Sequence, residues 1–334
     1  MAYGAVTLTG IEPRGVIEGG RVWLRGQGLP APPGPGQSIS VGGAPAQVVF
    51  AGSDRCAVVV PPAATPGRAA VRASWAPGAT LFVDVGTRLA TGLHQVDSPV
   101  VGPDGWIYAT FSGSRGQATA VSAYRVTIDG AREAFVDGLV NATGLAVAPD
   151  GSLYVSSRHD GTVYRIDDTG HARAVVGELG VPTGLAFAPD GSLFVGDRTG
   201  TIHRVTEAGS RVETFATLPA SVAAFHLAFG PDQHLYVNAP TLATHDPVHR
   251  FSASGRHDTL DVPFGRPQGL AFDPHGVLHV VEALAGVSAI YRLDPAGPRR
   301  AVVAGPGLIG VAFAPDGALL AATPDSLYRF PAAT

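Results

Sequence analysis

Residues 143–158 read TGLAVAPDGSLYVSSR. Apolar residues alternate on both sides of Pro149-Asp150-Gly151, the pattern of two antiparallel strands joined by a tight reversal. Proline fixes φ for the turn, aspartate bonds the nearby backbone, and glycine takes the positive φ that closes the hairpin. The stretch returns with small changes from Asp97, Thr183, Phe225, Gln268 and Ile309. The turn prolines Pro103, Pro149, Pro189, Pro231, Pro274 and Pro315 lie 40 to 46 residues apart. In each unit a third strand carries a ring followed by arginine (AYRV, VYRI, IHRV, VHRF, IYRL, LYRF), and a fourth strand such as REAFVDGL follows. A period near forty with several strands per unit is the signature of a β-propeller blade. The repeat predicts six blades over residues 87–334. The last unit runs out at SLYRFPAAT, so a strand at about 87–91 is expected to complete it and close the ring.

The bulk composition agrees. Of 334 residues, 45% are hydrophobic and 15% charged, and 44 glycines and 28 prolines favour many turns. All 23 basic residues are arginine, which excludes a Schiff-base lysine and a P-loop. Net charge is −4 with no basic stripe, so neither nucleic acid nor a membrane surface is an expected partner. No apolar run approaches the ~20 residues of a membrane helix, and no export signal is visible. The chain as written is expected in the cytoplasm, or outside the cell had a leader been removed. The lone Cys56, within CAVVVPP, allows no internal disulfide and reads as inert packing. No G-x-G-x-x-G lies between strand and helix and no G-x-S-x-G occurs, so no organic cofactor and no serine-hydrolase elbow are expected.

Residues 1–86 lack the period. Short strands (VTLTGI, RVWLRG, ISVGG, AQVVF, CAVVVPP, AAVRASW) predict a small β-sandwich, with LPAPPGPGQS as a rigid loop between strands. Ile11-x-Pro13-x-Gly15, Gly19-Gly20, Gly26-x-Gly28, Val41-Gly42-Gly43, Pro61-Pro62 and Gly67 resemble the IPT/TIG immunoglobulin-like family over about the first 75 residues. The resemblance implies a contact or spacer module without catalysis, able to touch another protein. The expected fold is therefore all-β: a small immunoglobulin-like β-sandwich plus a six-bladed β-propeller closed by an upstream strand.

GLAFAPDGSLFVGD and its sisters resemble the NHL-repeat and gluconolactonase (senescence-marker-protein, regucalcin-like) propellers over residues 87–334. Those enzymes hold a divalent cation at the channel mouth with carboxylate and amide ligands from inner-strand starts. Asp97-Ser98-Pro99 matches their Glu-Ser-Pro opening in kind. The resemblance implies a Ca, Mg or Zn ion near Asp97, Gln268 and Glu282. The other matching slots hold Thr183, a weak neutral ligand, and Phe225, which cannot ligate.

Two aligned slots ring the mouth: Asp97, Thr143, Thr183, Phe225, Gln268 and Ile309 at inner-strand starts, and Phe111, Ser157, Asp197, Ala239, Glu282 and Thr323 at second-strand ends. Thr183, Phe225, Gln268 and Phe111 are the expected substrate-lining residues. The repeat sorts the histidines. His203, His249 and His279 occupy slots of structural tyrosines. His234 and His275 (inner turns) and His171 and His257 (past outer turns) are expected in solvent. His94, His159, His226 and His245 remain near the mouth. His226 replaces the glycine of TGLAF, so it is the expected general base or metal ligand, with Glu282 and Asp197 as catalytic carboxylates. The six recurrent third-strand arginines are scaffold. Arg158 and Arg198 break that slot and are expected to hold an anionic substrate. Two functions follow: a monomeric small-molecule enzyme of lactonase-like hydrolase or lyase type, or a non-catalytic ligand- or protein-binding scaffold.

Overall fold

The computed structural model describes residues 6–30, 34, 36–284, 288–294 and 297–332. Parts of the expected rigid loop at 29–38 and of the outer turn at 294–297 lie outside these. The protein is all-β, a β-propeller, with one 3-10 turn at Glu207–Gly209 among the described residues. No helix among them is long and apolar enough to cross a membrane.

The quoted stretch forms the strands Ala142–Val147 and Leu153–Ser157, joined where Gly151 adopts φ 86°. Thr162–Ile166 and Ala172–Val176 complete an antiparallel four-stranded sheet. Inner strands Val100–Val101, Ala142–Val147, Pro182–Phe187, His226–Phe229, Pro267–Phe272 and Gly310–Phe313 neighbour one another in chain order, and the last returns to the first. The upstream strand Thr87–Ala90 pairs with Leu327–Phe330, as the truncated final repeat requires.

Five four-stranded sheets stand as separate blades, against the six expected. The strands from Pro267–Phe272 to Arg300–Ala304 instead form the end of a twelve-stranded sheet. Its other strands come from the N-terminal region, and the join is Gly15–Val16, parallel to both Leu81–Val85 and Arg300–Ala304. This two-residue strand satisfies the backbone on both flanks, so neither region keeps a free edge there. The N-terminal strands enclose their own core of Val22, Leu24, Ile39, Val58, Val71 and Val83 around the buried Cys56. Ile17 crosses into the propeller and packs with Val281, Ile290, Val303 and Phe330. Beside it, Tyr328 donates its hydroxyl to Glu18 Oε1 at 2.7 Å, and Arg88 pairs with the same carboxylate.

The recurrent residues hold blades together. The last residue of an inner strand stacks edge-on against a ring of the preceding blade: Phe187 on Tyr154, Phe229 on Phe194, Phe272 on Tyr236. His279 takes the same place against Phe313, 4.8 Å between centroids, as its tyrosine slot predicts. Third-strand arginines bind turn aspartates, Arg165 to Asp150, Arg204 to Asp190 and Arg329 to Asp316. Arg125 and Arg250 bind acids of the fourth strand, Glu133 and Asp258.

Candidate functional site

Second strands end beside inner-strand starts: Ser157 opposite Ala142, Asp197 opposite Pro182, Asn238 opposite His226, Glu282 opposite Pro267. A polar residue at or near this end reaches the next blade. Thr110 Oγ1 donates to Thr143 O (3.3 Å), Ser156 Oγ to Thr183 O (2.7 Å) and Asn238 Nδ2 to Gln268 O (2.5 Å). Thr183 Oγ1 donates to Gly196 O and accepts the Phe225 N–H, so it joins two blades. These hydrogen bonds tie neighbouring blades together around the ring.

Two side chains stand apart from this pattern. Asp97 and His226 meet with Nδ1 and Oδ1 at 2.5 Å. His226 is 1% exposed and Asp97 8%. The strand His226–Phe229 runs in regular register from its first residue, whereas Ala142–Val147, Pro182–Phe187 and Pro267–Phe272 each shift register before their leucine. In the shifted strands the matching glycines admit no side chain: a Cβ on Gly144 would lie 1.9 Å from Thr183 O. In the unshifted fourth repeat the matching place holds the His226 imidazole. On the opposite side, Asp97 and Ser98 press into the ring. A Cβ on Gly269 would lie 2.4 Å from Ser98 Oγ, and one on Gly310 2.7 Å from Ser98 Cα. Glycine at both places permits the close approach that carries Asp97 to His226.

The Asp97 carboxylate accepts the Ser98 N–H (2.7 Å) as well as the imidazole. A carboxylate at Nδ1 places the proton of the neutral ring there, leaving the Nε2 lone pair free. Among the described residues Nε2 is buried without a hydrogen-bond partner, and so is Oδ1 of Asn238, the residue opposite in register. Two unpartnered polar atoms on residues paired in register, in a buried interior, suit a ligand group that hydrogen-bonds to them.

The other expected site residues separate from this pair. Glu282 Oε1 accepts the Gly265 N–H at 2.6 Å and faces Arg299 Nη1 at 3.4 Å. Asp197 Oδ1 accepts the Val181 and Thr199 N–H groups at 2.9 and 3.0 Å, and Oδ2 takes the Thr199 hydroxyl. Both carboxylates hold the chain that leads into their own blade's inner strand, and neither bonds His226 among the described residues. Phe225, expected to line the mouth, is fully buried with Phe194, Leu227 and Val237. Phe111 packs edge-on against His94 and Tyr124. No three His, Cys, Asp or Glu residues converge as a metal site among the described residues. Of the expected ligands, Asp97 is engaged by His226 and Ser98, while Glu282 faces a guanidinium; this set does not fit a cation. Arg158 is half-buried, and Arg198 is bonded to Ser221 O and Val222 O, both at 3.1 Å. Asn238 and Asn141 escaped the sequence reading; Asn238 is an amide where the first two repeats carry the hydroxyls of Thr110 and Ser156, whereas Asn141 offers no such contrast, since Gln95 fills the matching place in the first repeat.

Two cavities open elsewhere. One of about 440 Å³ lies at the turn end of the inner strands, ringed by Phe187, Phe229, Phe272 and the turn prolines. Another of about 650 Å³ lies beside Tyr108, Arg125, Asp150 and Arg165. Neither is lined by Asp97 or His226.

No family model and no curated protein matches the chain in sequence. Solved structures do match in fold. A gluconolactonase, XC5397 from Xanthomonas campestris, is 19% identical at TM-score 0.62, covering 72% of this chain and 88% of that one. Virginiamycin B lyase from Staphylococcus aureus, solved as a catalytically inactive variant with quinupristin, is 16% identical at TM-score 0.53, covering 98% and 96%. An auxiliary nutrient binding protein from Bacteroides ovatus is 11% identical at TM-score 0.56, covering 99% of both chains. At these identities the likeness shows the fold, a β-propeller.

Proposed function

We propose that this propeller is a small-molecule enzyme of lactonase-like hydrolase or lyase type, with His226 as its proton-transfer group. The supporting observation is the buried Asp97–His226 pair with an unpartnered Nε2. Asp97 fixes the ring's orientation and stabilises the imidazolium formed when Nε2 takes a proton from substrate or water. Asn238 Oδ1 supplies an acceptor beside it that can orient a donating group. Glu282 and Asp197 are assigned to loop support, and no step is routed through a metal ion. The strands from Pro267 to Ala304 are read as the ring's sixth blade, and the N-terminal region as an IPT/TIG-like contact module.

The near-complete burial of the pair favours a second reading, a non-catalytic binding scaffold whose channel the pair closes. Turnover assays on lactones and cyclic ester peptides decide between them. The enzyme reading expects kcat/KM per folded molecule to fall at least 100-fold in His226→Gln. Turnover that survives this substitution overturns it.

A further inference from the structure

Three loops at the same end of the ring as the Asp97–His226 pair each carry an arginine: Arg115, Arg158 and Arg198. Arg158 follows directly on Leu153–Ser157, and its N–H bonds Asn141 O at 3.3 Å. Its Nε is buried with no hydrogen-bond partner among the described residues. The neighbouring charges of Arg198 and Arg115 act on it. Burial is the larger cause, and both neighbours add to it, lowering the Arg158 pKa below the ordinary guanidinium range. A half-buried guanidinium beside like charges is unfavourable by itself and is relieved by an anion.

The surroundings hold this arrangement in place. Asn141, at φ 54°, accepts the Gly116 N–H on Oδ1 (2.7 Å) and donates Nδ2 to Ser112 O (2.6 Å) and Ser114 O (2.8 Å). One 1%-exposed asparagine thus positions the backbone of both the Arg115 loop and Arg158. The Arg198 guanidinium is tied to the following loop by the two carbonyls of Ser221 and Val222. The third-strand arginines of this chain bind carboxylates; here three arginines from successive repeats are arranged without one.

We propose that Arg115, Arg158 and Arg198 form a binding site for the carboxylate or phosphate group of a small anionic ligand, with Arg158 as its floor. The site rests on the unpartnered buried Nε of Arg158 and on the Asn141 hydrogen bonds that tie the Arg115 loop to it. That its ligand is also the substrate rests on the enzymatic reading above, and would restrict the substrate class to anionic small molecules.

Calorimetric titration with inorganic phosphate and with citrate at low ionic strength tests the proposal on the full chain. Saturable one-site binding is expected, weakened at least tenfold in Arg158→Gln and several-fold in the exposed Arg115→Gln, whose folding is not at stake. Arg165→Gln, at the turn end, is the control for general charge and is expected to leave binding unchanged. Preference for one probe identifies the anion as phosphate or carboxylate. Absence of saturable binding, or equal weakening by Arg165→Gln and Arg158→Gln, overturns the site. Anion binding without turnover would leave this site standing and fail the enzymatic reading; turnover without anion binding would do the reverse.

Discussion

His226 and Asp97 lie 129 residues apart in the chain and meet at 2.5 Å in its interior, where almost no water reaches either side chain. The contact joins the first repeat to the fourth, so it holds the ring together. A hydrogen bond to a charged group contributes on the order of 2 kcal/mol, and an orphaned partner in a dry interior costs a similar amount.

Asp97→Asn and His226→Gln are therefore each expected to lower unfolding stability by about 2 kcal/mol. The double variant should lose less than the sum, with a coupling above roughly 1 kcal/mol in a denaturant-based double-mutant cycle. Additive losses would show that the two side chains do not interact in solution.

The repeat makes much of this protein legible, because symmetry labels each residue by what its counterparts do. It marks the turn aspartates and third-strand arginines as scaffold, assigns His279 to an aromatic stack, and singles out Asp97 and His226 as breaks in the pattern. It does not reveal that the two breaks meet, since their encounter depends on a strand start without a register shift and on glycines 269 and 310 in other repeats. It also misplaces Glu282, Asp197 and Phe225. A slot fixes where a Cα lies on the ring, but the partners of a side chain come from loops outside the period. Gly15–Val16 was illegible for a related reason: two residues carry no periodicity, and their pairing spans almost the whole chain.

Ile17 provides the mechanical link between the N-terminal strands and the propeller. Its side chain is 1% exposed, and Gly305 lies so close that a Cβ there would sit 2.1 Å from Ile17 Cγ1. Ile17→Ala is expected to cost about 3 kcal/mol from lost burial and the cavity left behind. Scanning calorimetry should show one transition for the native chain and a separate, earlier one for the N-terminal region in the variant. A single transition at an unchanged midpoint would contradict this coupling.

Acid sensitivity has an identifiable source. Burial, and then the neighbouring His257, hold the His249 pKa down at about 4 from an ordinary 6.5, against the opposing pull of Asp246. The unfolded chain thus takes up a proton at higher pH than the native one. Stability is unaffected by this group above about pH 6.5 and falls as pH drops toward 4, by on the order of 3 kcal/mol at most. Burial shifts His203 and His279 in the same direction. His249→Tyr, which restores the residue found at Tyr124, Tyr164, Tyr291 and Tyr328, should flatten the decline in urea midpoint between pH 6.5 and 4. An unchanged pH profile would remove His249 as a cause.

Glu282 separates a scaffold carboxylate from a catalytic one. Its Oε1 accepts the Gly265 N–H and faces Arg299, whose guanidinium stacks over Phe264 and Tyr291. Glu282→Ala leaves a buried N–H without an acceptor and a guanidinium without its counter-charge, so a stability loss of about 2 kcal/mol is expected. Glu282→Gln keeps an oxygen for Gly265 and should recover about half of that. If the carboxylate only supports its loop, kcat/KM per folded molecule changes less than about threefold in the glutamine variant, and its pH profile keeps its shape, because no proton on the reaction path belongs to Glu282. A catalytic carboxylate would instead lose two or more orders of magnitude in the same variant and lose one limb of that profile. Measuring stability and rate on the same preparations distinguishes the two, since a loop support moves the first and a catalytic acid the second.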